Sequence, residues 1–164
     1  MTRGNLRVID DPKGERQATM LVGAVVPSWS RVSVDARVAP ETLDQFIADA
    51  ASQSGVDTDK PFMFVLEGTF SDARIHVING ACPVHARMQK IELAEDKRPF
   101  EKDMSEVTGK VIGVFAKDAV GKLTHPATST HMHLLFTDKR TGNLATAHIE
   151  KIGLAKGAFV AFPK

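Results

Sequence analysis

The 164 residues hold one cysteine, Cys82. This excludes an intrachain disulfide and any zinc knuckle built on several thiolates. Beside Pro83, and with no base near it in sequence, Cys82 reads as chemically inert. Long hydrophobic runs are also missing: the longest strongly apolar stretch, residues 20–27, is far too short for a membrane span. Neither sign of charge is in excess. Lysine and arginine number 21 against 20 aspartates and glutamates, a net of +1. That balance gives no bulk pull toward nucleic acid or an anionic membrane. There is no glycine-rich phosphate loop, no Gly-x-Ser-x-Gly elbow and no basic–aromatic stripe, and Thr108-Gly109-Lys110-Val111 is too short for a P-loop. The opening Met1-Thr2-Arg3-Gly4-Asn5 does not lead into a signal-peptide core, so a cytoplasmic location is expected.

What is present is ordinary globular composition, 43% apolar and 25% charged, in a length that suits one domain. Residues 1–19 are polar and turn-rich and read as an N-terminal arm. Residues 20–164 read as the domain. One helix is clear, over about 40–54. Pro40 suits a first helical position, Glu41 and Asp44 sit at the positive end of the dipole, and Leu43, Phe46, Ile47, Ala50 and Ala51 form one apolar stripe. Strands are expected at 20–26, 31–38, 62–67 (ending at a bend on Gly68), 73–78, 87–93, 107–116 (bending at Gly109 and Gly113), 131–137, 145–152 and 158–162. The charged stretch 95–105 with Pro99, and residues 121–130, read as loops. These elements predict an α+β fold: one main helix against a curved, mixed, mostly antiparallel β-sheet. Exposed sheet edges in a domain of this size are often paired across a homodimer, which is the expected assembly.

All six histidines lie between His76 and His148. His131 and His133 flank Met132, and on a strand that spacing turns both rings to one face while Met132, Leu134 and Phe136 turn to the other. His148 follows on the next predicted strand, after the turn-rich Thr137-Asp138-Lys139-Arg140-Thr141-Gly142-Asn143. A hairpin there brings His148 beside the pair. Three converging imidazoles match a zinc site with an open fourth position, although nickel, cobalt, iron and copper suit such a set too. Read alone, His-x-His is more often what a solvated strand face produces, and the third histidine on the partner strand balances that reading. A cupin strand would want a glutamate soon after, and Thr137-Asp138 supplies none. His76 shares a strand face with Arg74 and either approaches the metal or is a core-edge histidine with a backbone partner. His85 and His125 fall in expected loops and read as solvent-exposed. Glu67, at the end of an apolar strand, is either a tuned carboxylate or simply wet.

The segments Phe62-Met63-Phe64-Val65-Leu66-Glu67-Gly68-Thr69-Phe70, Ala73-Arg74-Ile75-His76-Val77, Gly109-Lys110-Val111-Ile112-Gly113-Val114-Phe115, His131-Met132-His133 and Ala147-His148-Ile149 resemble the α-acetolactate decarboxylases. More closely, Thr124-His125, His131-Met132-His133 and the close from Gly157 to Pro163 resemble the divergent decarboxylase-like proteins. The likeness spans about residues 20–164, and its specific part is the His-x-His with the later histidine. It implies an enzyme, a zinc-dependent carboxy-lyase with the metal on His131, His133 and His148, acting on a 2-hydroxy-3-keto acid to give an acetoin-type product and CO₂. The candidates for catalysis are His76 and Arg74, near the place of the family's catalytic arginine, together with Glu67 from the strand pattern.

The chain departs from that family in four ways. The interval from His133 to His148 is longer, and His76, with Arg74 two residues before it, stands where the family has a catalytic arginine. The N-terminal half that brings a catalytic glutamate is not seen, and no late glutamate appears in Gly157-Ala158-Phe159-Val160-Ala161-Phe162. Two other functions therefore stand beside the lyase: a metal-binding domain without decarboxylase chemistry, and a nucleic-acid-associated domain similar in fold to the plant- and prokaryote-conserved domain. The near-zero net charge speaks against the latter.

Overall fold

The computed structural model describes residues 25–164, apart from Gly80 and residues 125–127. The expected arm, the start of the strand expected at 20–26, and His125 lie outside the described residues; Val25 and Val26 are not in a strand.

The chain runs β1 (Trp29–Ser33), α1 (Leu43–Gln53), β2 (Phe62–Val77), α2 (Pro83–Met88), β3 (Phe100–Phe115), β4 (Thr130–Thr137), β5 (Leu144–Leu154) and β6 (Phe159–Pro163). Among the described residues every pairing is antiparallel, so the expected parallel component is absent. The order is β1-β6-β2-β3-β4-β5, and β5 also pairs with the second half of β2. Strands β2, β3, β4 and β5 therefore form a closed cycle of neighbours, and curvature is built into the sheet.

The expected helix is there. A single 3₁₀ turn at Pro40–Thr42 leads into α1, whose Leu43, Ile47, Ala50 and Ala51 are buried. They join Phe64, Leu66, Phe70, Ile75, Val111, Leu134, Ile152 and Phe162 in one core. Each large side chain fully buried there is worth roughly 1.5–3 kcal/mol. That burial fixes the strand registers, because a slip of one residue turns every core side chain outward.

Five expectations change. Residues 62–67 and 73–78 are one strand, because Gly68 does not end it. With φ +138° and Ala158 Cα only 2.9 Å from where a Cβ would sit, Gly68 lets β6 cross close to β2. The irregularity lies further on, near Asp72 (φ 51°), where the register with β5 shifts. Residues 95–105 are not all loop: β3 begins at Phe100, and its charged first half is a solvent-facing strand paired to β2, with Arg74 opposite Asp103. Residues 87–93 form no strand. Pro83–Met88 is a short helix, and Met88 and Ile91 are exposed. Finally, β1 begins at Trp29 and ends at Ser33; beyond it Val34 exchanges backbone hydrogen bonds with Ala158 and Gly157, and Val38 bridges to Leu154. Gly113 is no bend point. It admits the Phe64 ring, whose Cζ lies 2.3 Å from the position of a Cβ.

Candidate metal centre

On β4, Thr130, Met132, Leu134 and Phe136 are buried, so alternation sends His131 and His133 to the opposite face. On β5, Ala145, Ala147 and Ile149 take the core, and His148 and Glu150 take that same opposite face. The turn between them is fastened by Asp138. Its backbone N–H donates to the Asn143 carbonyl, and its carboxylate accepts from the Arg140 N–H and the Thr141 hydroxyl. The resulting register sets His133 directly across from His148, and His148 directly across from His76 on β2. One cross-strand row thus reads Arg31, Ala161, Val65, Ile112, His133, His148, His76.

Nε2 of His131 and Nε2 of His133 are 3.0 Å apart. One nitrogen from each of His131, His133 and His148 lies within 4.8 Å of the other two. The rings of His133 and His148 have centroids 4.2 Å apart. A tetrahedral zinc with Zn–N bonds of about 2.0–2.1 Å holds its nitrogens roughly 3.4 Å apart, so small ring rotations bring all three onto one ion. The donor set fits a borderline-soft divalent cation and leaves one position for a ligand. Burial, then the charges of His131 and His76, push the His133 imidazolium toward losing its proton. That keeps a lone pair available to a cation.

The other expected site residues divide. His76 is brought to the triad: its ring is parallel to that of His148, with centroids 5.1 Å apart. It is buried, but its partner is a carboxylate and not a backbone group, since Nδ1 lies 2.9 Å from Glu150 Oε1. Arg74 is spent on Asp103, Glu101 and Glu150. Glu67 is not at a strand end but in the middle of β2, two strands from β4, where it pairs with Arg31 and Lys110. His85 is exposed as expected, though on α2, and Cys82 is half-buried at the start of that helix.

Two residues escaped the sequence reading. Glu150 is held by His76, Arg74 and Arg87. Burial raises its carboxyl, but hydrogen bonds from His76 and Arg87, with their charges, win and hold it at about 2. Its signal was present: in an alternating strand, Glu150 shares the face of His148. Arg87, which also reaches Glu101 from α2, carried no such signal.

No protein-family profile matches this chain, and no curated protein matches it. Solved structures do. A Staphylococcus aureus protein of unknown function, described as similar to α-acetolactate decarboxylase, aligns with TM-score 0.55 at 9% identity, over 88% of this chain and 55% of that one. The α-acetolactate decarboxylase of Bacillus subtilis strain 168 aligns with TM-score 0.54 at 12% identity, over 85% and 53%. This chain therefore spans about half the length of those two proteins. A putative DNA-binding protein of Ralstonia eutropha aligns with TM-score 0.44 at 17% identity, over 81% and 73%, too weak a likeness to carry an argument. At these identities the likeness is one of fold: an antiparallel α+β domain similar to that of the acetolactate decarboxylases.

Proposed function

We propose that this chain is a metal-dependent carbon–carbon lyase that releases CO₂ from a small 2-hydroxy-3-keto acid. The observation that carries the reading is the convergence of His131, His133 and His148 on one sheet face, in a fold similar to that of the acetolactate decarboxylases. These three imidazoles would hold the metal, with zinc the preferred ion. A bound zinc ion would supply a Lewis acid for the hydroxyl and keto oxygens and would stabilise the charge left as the C–C bond to the carboxylate breaks. His76 would be the proton carrier: it takes the substrate's hydroxyl proton as the C–C bond breaks and returns it to that oxygen, while solvent water supplies the one proton that the carbon losing CO₂ gains. Met63, Val65, Ile112, Val114 and Leu135 share the face of the triad, by alternation and register, and offer an apolar floor for a short carbon chain.

A metal-binding domain without this chemistry is the second reading, favoured by the placement of Glu67. Its carboxylate is engaged by Arg31 and Lys110, and the carboxylates beside His76, Glu150 and the cross-strand Glu101, are held by Arg74 and Arg87.

Metal content and acetolactate turnover, measured on the same zinc-loaded preparation, test the proposal. The expected result is about one zinc per chain and acetoin production that His131→Ala abolishes. One zinc per chain without turnover leaves the second reading. No bound metal after reconstitution ends both.

A further inference from the structure

The long strand β2 changes the face it turns to the core partway along. Phe62, Phe64, Leu66 and Phe70 are buried, and so are Ala73 and Ile75. The first set is even-numbered and the second odd, so alternation breaks between Phe70 and Ala73. The pairing with β5 shows how. Ser71 lies across from Gly153 and Arg74 across from Lys151, so Asp72 and Ala73 together oppose the single Ile152. That is one extra residue on β2, a β-bulge. The consecutive Arg74 and Ile75 then lie across from Lys151 and Ile149, which leaves Glu150 as the extra residue on β5. Alternation on β5 breaks there as well: Ala145, Ala147 and Ile149 are buried before it, Ile152 and Leu154 after it. The second bulge compensates the first, and both strands exchange faces at one level.

The consequence falls on the site. Continued from Phe70, strict alternation would turn Asp72, Arg74 and His76 to the core. With the bulge, Arg74 and His76 turn to the other face, and the His76 ring stacks on that of His148. Asp72 makes the change. Its φ is 51°, a left-handed conformation that Gly, Asn and Asp adopt and that is costly for a β-branched residue. Its carboxylate takes the Arg37 guanidinium, and the neighbouring Val38 exchanges backbone hydrogen bonds with Leu154. The segment before α1 thus ties the bulge on β2 to the strand beside it.

We propose that Asp72 is a positioning residue: its left-handed backbone reverses the facing of β2 and so delivers His76 and Arg74 to the face of the histidine triad. The facing is independent of the lyase reading; its consequence for turnover rests on that reading. The triad itself is set by the β4–β5 hairpin, where His133 lies across from His148. Metal binding and the placement of His76 therefore come apart when Asp72 is changed.

Thiol labelling reads the facing. In a Cys82→Ser background, Arg74→Cys should react with a maleimide about tenfold faster than Ile75→Cys, since exposure governs thiol access. Asp72→Gly and Asp72→Asn should keep that ratio, and Asp72→Val should abolish or invert it. A wild-type ratio in the Asp72→Val chain overturns the proposal. So does loss of the ratio in Asp72→Gly, because glycine takes the same backbone conformation freely. The glycine arm decides the matter if Asp72→Val does not fold. These arms need neither metal nor turnover, so they stand apart from the lyase reading. In the folded Asp72→Val chain, zinc content should match the wild type while acetolactate turnover falls about a hundredfold. Zinc and turnover lost together would make Asp72 a structural residue only and overturn the positioning role. Turnover kept with the facing reversed would remove His76 from the lyase reading and leave the facing as proposed.

Discussion

His76 and Arg87 together hold the Glu150 carboxylate ionised against its burial. Burial alone would raise the Glu150 carboxyl, yet His76 and Arg87 hold it at about 2, against 4.5 for an ordinary glutamate. A carboxyl held below its unfolded value favours the folded state at any pH above that unfolded value. The advantage fades as pH falls toward the folded value, where both states are protonated. The difference is worth about 3 kcal/mol, and Glu150→Gln should remove most of it. Urea unfolding of wild type and variant should therefore differ by roughly 2–3 kcal/mol near pH 7 and converge near pH 2. A gap of constant size across that range would mean that packing, and not charge, accounts for the loss. Sequence alone put His76 on a strand face with Arg74 and left open whether it approaches the triad. It missed Arg87, because a contact from a short helix to a strand more than sixty positions later leaves no local pattern.

At the scale of elements, the histidine triad depends on how β4 is entered. Asp44, in the first turn of α1, accepts from the Ser129 N–H at 2.6 Å and from the Thr130 hydroxyl at 2.7 Å. These two residues immediately precede His131, so the helix anchors the strand at the end that carries His131 and His133. Asp44→Ala should leave a half-buried backbone donor and a buried hydroxyl without their partner, at a cost of about 1–3 kcal/mol. It should also weaken zinc binding, which a metal titration beside a denaturation curve would show. Unchanged zinc affinity in a destabilised variant would confine Asp44 to a structural role. The same helix was plain in the sequence, because Pro40, Glu41 and the Leu43–Ile47–Ala50–Ala51 stripe all agree. The charged start of β3 was not. Its outward residues meet solvent and the charges of β2, so Arg74 opposite Asp103 stabilises a strand that composition makes look like a loop. Residues 87–93 misled in the opposite direction, since alternation without a core behind it is not evidence for a strand.

For the whole molecule, the key fact is that β5 pairs with both β4 and β2. The β4–β5 hairpin was legible from His131, His133, His148 and the turn at 138–143. The second pairing, which closes the cycle and brings in His76, was not, because it joins segments more than seventy residues apart by register alone. A metal held by His131, His133 and His148 would bridge β4 and β5 and would bind the folded chain but not the unfolded one. Its binding energy then becomes folding energy. At a free zinc level about 1,000-fold above the dissociation constant, the gain is about 4 kcal/mol. For a chain of this length that should raise Tm by roughly 8–16 °C. Calorimetry with zinc and then with excess chelator should show the rise and its reversal, and the His131→Ala/His133→Ala variant should show neither. A shift of equal size in that variant would mean that zinc acts elsewhere on the surface. No shift in the wild type at saturating zinc would mean that the three rings, though close, do not share an ion.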